Sequence, residues 1–230
     1  MKKLSLIVIA SLSLAILIEG CTKSSSTGNN NNNNNNNGAV SDLVANFTNT
    51  NSSTGVTTTY SFTYDAQNRI TGETISDGSP TASYSYGTGT VTKIQGTTTT
   101  VYTLDNAGHA VSDNQGNTYT YDGNGFLTNE SNPSGASTVN TISNSNIATT
   151  VQTTSTGTTT NYSFTFMANP NSLKYGLDFL GAPDANLIKS ESINGVSYSF
   201  SYTFDSHGRV QTLKIVSGPT TLSRTYTYIN

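Results

Sequence analysis

Three groups of side chains in this 230-residue sequence could do chemistry. The first is Cys21, the only cysteine, whose thiolate is a strong nucleophile that can carry a thioether-linked group. The second is the two histidines, His109 and His207, each close behind an aspartate, Asp105 and Asp205. A His beside an Asp suggests part of a hydrolytic triad, but no Gly-x-Ser-x-Gly elbow supplies a nucleophile, and both histidines occupy variable positions of a turn sequence. The third group is the carboxylates. Asp65, Asp105, Asp113, Asp122 and Asp205 are accounted for as turn residues, which leaves Asp42, Glu73, Asp77, Glu130, Asp178, Asp184 and Glu191 for glycoside-type chemistry, with no arrangement that marks a pair. Asp122-Gly123-Asn124-Gly125 begins like a calcium loop, but Pro133 stands where the bidentate Glu belongs. With no phosphate-cradling loop, dinucleotide fingerprint or zinc-ligand cluster either, no catalytic residue, metal site or cofactor is expected, and the chain reads as a non-enzyme.

Cys21 gains its meaning from what precedes it. Lys2 and Lys3 open an apolar run from Leu4 to Ile18, broken only by serines, which is the pattern of a secretory signal and is shorter than the roughly 20 residues a spanning helix needs. Ile18-Glu19-Gly20-Cys21 resembles the lipobox of bacterial lipoproteins, with Glu19 departing from the usual small residue. The resemblance implies cleavage of residues 1–20 and acylation at Cys21, where two or three chains give stable anchoring. Thr22 to Gly38, with nine consecutive Asn at 29–37, has nothing to bury and reads as a disordered leash that would hold a domain roughly 20–25 Å from the lipid.

Loss of residues 1–20 removes Lys2, Lys3 and Glu19, leaving 8 basic against 12 acidic side chains and a net charge of −4. That balance excludes the basic footprint of a nucleic-acid binder. With Cys21 lipidated, no thiol remains for disulfides, so residues 39–230 must be stabilised by packing as one domain.

The composition of that domain is Thr, Ser, Asn, Gly and Tyr, and aromatic residues alternate with Ser or Thr at Tyr60-Phe62-Tyr64, Tyr162-Phe164-Phe166 and Tyr198-Phe200-Tyr202-Phe204. Period-two alternation places each set on one face of a strand. An internal repeat organises the strands: Tyr64 to Ile70, Leu104 to Ala110, Tyr121 to Leu127 and Phe204 to Val210 each read aromatic or Leu, Asp, two variable residues, Gly or Asn, one variable residue, then aliphatic. Asp opens a type I turn and Gly or Asn supplies the positive φ that restarts the strand. Asp positions lie 40, 17 and 83 residues apart, near multiples of about 20. A degenerate copy at Tyr84 to Gly89 and turn signals at Asp77-Gly78, Asp113 to Gly116 and Asn194-Gly195 complete an antiparallel meander of about 12 to 16 short strands, all-β and curled into a strongly curved sheet or barrel, with a β-sandwich as the alternative. The four copies resemble YD-type repeats of the Rhs class, and lipobox, leash and hairpins together resemble Bacteroidota envelope lipoproteins of unassigned activity. A chain this short cannot form the closed toxin shell of Rhs proteins.

One stretch, Met167 to Asn186, breaks the rhythm with Pro170, Leu173, Tyr175, Leu177, Phe179, Leu180 and Pro183. It reads as a loop with one helical turn folded over a sheet end or barrel mouth, packing its apolar side chains or lining a ligand pocket. The function expected is an outer-membrane lipoprotein, a non-catalytic structural or binding module. Its partners are the membrane, through its lipid, and a glycan or protein ligand. The alternatives are a glycan- or peptide-binding lipoprotein and a hydrolase with carboxylates that escape recognition. Absence of an acidic cluster after Cys21 leans toward the periplasmic rather than the cell-surface face.

Overall fold

The computed structural model describes residues 41–229. The expected signal sequence, Cys21 and the Asn tract lie outside the described residues. The remainder is a sixteen-stranded meander: β1 (Val44–Asn51), β2 (Thr57–Tyr64), β3 (Ile70–Ile75), β4 (Ala82–Gly87), β5 (Thr90–Gln95), β6 (Thr98–Leu104), β7 (Ala110–Asp113), β8 (Thr118–Tyr121), β9 (Leu127–Ser131), β10 (Ser137–Ser143), β11 (Asn146–Thr153), β12 (Thr159–Pro170), β13 (Asn186–Ile193), β14 (Val196–Phe204), β15 (Val210–Ser217) and β16 (Thr220–Tyr228). Every neighbouring pair is antiparallel, and β1 pairs with β16 to close the sheet into a barrel, so the sandwich alternative is not adopted. Closure leaves no strand edge to template aggregation.

Alternation sorts the side chains. On β14 Tyr198 and Phe200 are buried while Ser197, Ser199, Ser201 and Thr203 are exposed; on β16 Leu222, Arg224 and Tyr226 are buried while Ser223, Thr225 and Thr227 are exposed. The inside of the barrel is therefore mainly aromatic and aliphatic, with single polar residues such as Glu191 and Arg224, and its outside is mainly hydroxyl-bearing, with isolated exceptions such as Ile94, Val111 and Val139.

Seven hairpins share one turn. In each, the first residue donates its N–H to the carbonyl of the fifth and accepts at its own carbonyl from the N–H of the fourth, at Asp65, Asp105, Asp113, Asp122, Asn132, Thr154 and Asp205. The aspartate or asparagine Oδ1 also accepts the N–H groups two and four residues on, as from Gln67 and Arg69 to Asp65. The fourth residue is left-handed, which six glycines and Asn68 (φ 63°) supply. In the four copies of the repeat, the aliphatic residue that follows (Ile70, Ala110, Leu127, Val210) starts a strand and points inward, buried. The repeat thus encodes a turn and one member of a core ring beneath the barrel mouth.

A round sixteen-stranded barrel would be about 30 Å across at about 4.8 Å per strand and about 40° tilt, wider than opposed side chains fill. Something else must occupy the mouth at the repeat turns, and residues 171–185 do. This segment is shorter than the sequence suggests, because β12 continues to Pro170 before the ladder to β13 ends. It contains one 3-10 turn, Asp178–Leu180.

Candidate functional site

The segment 171–185 makes one circuit of the mouth. Val210 N–H donates to Ser172 Oγ (3.2 Å), Val44 N–H to the Lys174 carbonyl (3.0 Å), and Ile70 N–H to the Gly176 carbonyl (3.1 Å). Ala182 N–H then donates to the Gly125 carbonyl (2.7 Å) and Ala185 N–H to that of Ser145 (2.9 Å). These anchors belong in turn to β15, β1, β3, the β8–β9 turn and the β10–β11 turn, which is their order around the barrel. Leu173, Tyr175 and Phe179 point into the core, where Phe179 meets Tyr102 (ring centroids 5.1 Å apart) and Tyr175 meets Phe62 edge-on (5.2 Å).

Tyrosine hydroxyls lock the same mouth. Tyr64 donates to the Val44 carbonyl (2.8 Å), Tyr86 to Ile70 (2.9 Å), Tyr202 to Ile188 (2.8 Å) and Tyr228 to Val210 (2.7 Å). Each links the end of a descending strand to the start of the strand before it. Asn140 Nδ2 does the same to the Leu127 carbonyl (3.0 Å).

Two of these clamps carry a stacked guanidinium. Arg69 lies over the Tyr86 ring at 4.0 Å and donates from Nε to Asp65 Oδ2 (2.7 Å); Arg209 lies over Tyr228 at 4.3 Å and donates from Nε to Asp205 Oδ2 (2.8 Å). Burial pushes both aspartates up, but the hydrogen bonds from the arginine side chains and turn amides outweigh it and hold both carboxyls below their ordinary range. A third copy replaces Arg with His109, stacked on Tyr121 at 4.8 Å. Between the first and third copies and the segment above them opens a pocket of about 510 Å³, walled by Arg69, His109, Asn124 and Asp178 over a floor that includes Tyr86 and Phe179.

The other candidates are dispersed. His207 sits on the β14–β15 turn with Asp205 Oδ2 4.0 Å away, on a different hairpin from His109. Asp42 pairs with Lys174 (2.9 Å), and Asp77 accepts from Ser79 N–H (2.9 Å), a turn role. Asp184 accepts from Ile147 N–H, and burial pushes its carboxyl up to about 7 despite that bond. Glu191, inward between Phe164 and Tyr198 and 3% exposed, is pushed up to about 7 by burial, whereas Glu73, between Phe62 and Ala82, is raised by burial with partial relief from Lys93. Glu130, inward opposite Tyr119, is raised by burial and by Asp113. Sequence reading missed these as core residues because a period-two strand does not announce that one of its inward positions is acidic.

Fold and mouth together define a class: a closed, sixteen-stranded, all-antiparallel barrel with an internal strap across one end. Two solved structures are similar to this chain in fold. A porin-like protein from Bacteroides uniformis ATCC 8492 superposes with a TM-score of 0.62 at 18% identity, over 81% of this chain and 98% of that one; a porin-like protein from Bacteroides vulgatus ATCC 8482 does so with a TM-score of 0.54 at 12% identity, over 81% and 98%. No family model and no curated protein matches the chain.

Proposed function

We propose that this chain is an envelope lipoprotein whose barrel stands outside the bilayer, held by Cys21, as a non-catalytic binding module. The observation that carries this reading is the polarity of the strands. A barrel that crosses an outer membrane turns an apolar band with aromatic girdles toward lipid and a polar face toward its lumen. Here the order is reversed: Tyr198, Phe200 and Tyr226 face in, and Ser199, Ser201 and Thr225 face out. Strands of four to nine residues predominate, against the nine to eleven or so that span a bilayer. The neighbours' description as porin-like belongs to those proteins, and the face polarity of this chain favours a barrel in water.

The non-catalytic part rests on the described carboxylates: apart from Asp178, exposed at the pocket wall, they are engaged in turns, held by a backbone amide, buried singly against aromatic rings, or paired with lysine. The pocket at the mouth supports binding of a glycan or a peptide. The test of the whole reading is fractionation of cells expressing the chain and its Cys21→Ala variant. Membrane association of the parent, with release of a folded, β-rich variant into the soluble fraction, is expected. A variant that stays in the membrane after high-salt and carbonate washing would defeat it.

A further inference from the structure

The barrel contains the same arginine clamp twice, and among the described residues it is filled once and open once. At Arg209 the guanidinium edge not held by Asp205 donates from Nη1 to the Ser41 carbonyl (2.7 Å), and the side chain is 11% exposed. The chain segment that supplies this carbonyl runs extended past the clamp: Leu43 bridges in parallel to Lys174, and Asp42 pairs with the Lys174 ammonium. At Arg69, Asp65 holds Nε and Nη2, no hydrogen bond from Nη1 to a described residue forms, and the side chain is 42% exposed and lines the pocket. All else corresponds: each arginine covers the ring of a tyrosine whose hydroxyl binds the next residue's carbonyl, and that residue's N–H is capped by the strap, from Ser172 in one copy and Gly176 in the other.

From this correspondence we infer that the pocket at Arg69 binds a short extended peptide, whose backbone carbonyl takes the place at Arg69 that Ser41 takes at Arg209. A guanidinium already fixed by a carboxylate and a ring loses little freedom on accepting one more bond, which favours capture of a neutral acceptor. Arg69 covers one ring face of Tyr86 and His109 one ring face of Tyr121, so those faces offer no open platform for stacking a sugar. The charge beside the site is also inverted. Lys174 lies two residues after Ser172, and Asp178 two residues after Gly176. Asp178 is exposed at the pocket wall, so the preferred peptide carries a basic residue where the internal segment carries Asp42.

This inference rests on the binding-module reading and names its ligand. The probe is fluorescein-labelled Ala-Val-Ser-Lys-Leu amide, which copies residues 39–43 with Lys at the position of Asp42, measured by anisotropy against the full chain in detergent micelles. Saturable binding is expected, at least about fivefold tighter than for the Ala-Val-Ser-Asp-Leu amide. Arg69→Gln should weaken it about tenfold, and Asp178→Asn, at an exposed position, should erase the preference for lysine without changing Tm. No saturation up to about 1 mM, equal affinity for parent and both variants, or saturable binding of maltotetraose but not of the peptide would overturn the inference. A tethered barrel without peptide affinity defeats this inference and leaves the tether standing, whereas a chain that inserts into the bilayer defeats the reading beneath it.

Discussion

Glu191 is poorly suited to its place. It stands opposite Phe164 and Tyr198 inside the barrel, and burial alone moves its carboxyl from 4.5 to about 7; Asp184, buried at the strap's end, moves from 3.8 to about 7. An acid whose folded value is raised stays protonated in the fold after the unfolded chain has ionised. Its contribution is complete below the unfolded value and disappears as pH rises through about 7, a loss on the order of 3 kcal/mol for a shift of this size. The turn aspartates act in the opposite sense: Asp65, Asp105, Asp113 and Asp205 are held low, so their support is present above about pH 4 and lost below it. Thermal unfolding is therefore expected to show Tm highest near about pH 5 and several degrees lower at about pH 8. Glu191→Gln should flatten that decline, and an unchanged pH profile in the variant would show that the carboxyl is solvated in the native barrel. The position was visible in sequence as a carboxylate without a role. Its burial follows from strand phase, which is set by pairing with Phe164 and Tyr198, positions 27 and 7 residues away in the chain.

Among the elements, hairpins were the most legible because their chemistry is local. Asp65, Asp105, Asp122 and Asp205 could be read as turn openers from five-residue windows, and the structure adds Asn132 and Thr154, which make the same backbone turn without a carboxylate. Those two escape a template that demands Asp, although Asn132 Oδ1 receives the same two amides, from Ser134 and Ala136. Asn132→Ala should accordingly cost about 1 kcal/mol in chemical unfolding, the price of losing a side-chain cap, like Asp122→Ala. The strap was legible as apolar and irregular, but not its circuit, since its bonds go to main-chain groups of strands far away in sequence. Gly176 is the sharpest test of that circuit. Its φ is +66°, and a Cβ there would lie 2.6 Å from the Asn68 carbonyl oxygen and 2.9 Å from Ile70 N. Gly176→Ala must therefore break the bond to Ile70 and lift the strap from β3, lowering stability by about 2 kcal/mol or more. Hydrogen exchange at the Ile70 amide should quicken in the variant while that at Tyr226 stays slow. Equal protection at Ile70 would mean that the strap is held elsewhere.

At the scale of the whole molecule, the number and antiparallel order of strands followed from counting turns, whereas closure did not: the pairing of Phe47 with Tyr226 joins residues from opposite ends of the domain, and no local pattern encodes it. Closure creates a problem that the sequence solves out of view of any short window. A sixteen-stranded ring lined only by its own side chains would leave a channel; here the ring of Val44, Ile70, Ala110, Leu127 and Val210 meets Leu173, Tyr175 and Phe179 of the strap instead. Three large side chains leaving water for this core contribute about 5 kcal/mol or more, a large part of the net stability of a typical domain. Asymmetry follows: the mouth with the strap is a packed core, and the opposite mouth is joined by turns alone. Replacing residues 172–184 with a short Gly-Ser link should then lower Tm by 10 °C or more, by roughly 2 to 4 °C per kcal/mol, and expose a dye-binding apolar surface. Lengthening the 154–158 turn at the other mouth by the same number of residues should cost only a loop-closure entropy of about 1 kcal/mol. Circular dichroism melts of the two variants side by side distinguish these outcomes. Equal losses would mean that the barrel is held by its ladder of hydrogen bonds throughout, with the strap as an accessory to its pocket.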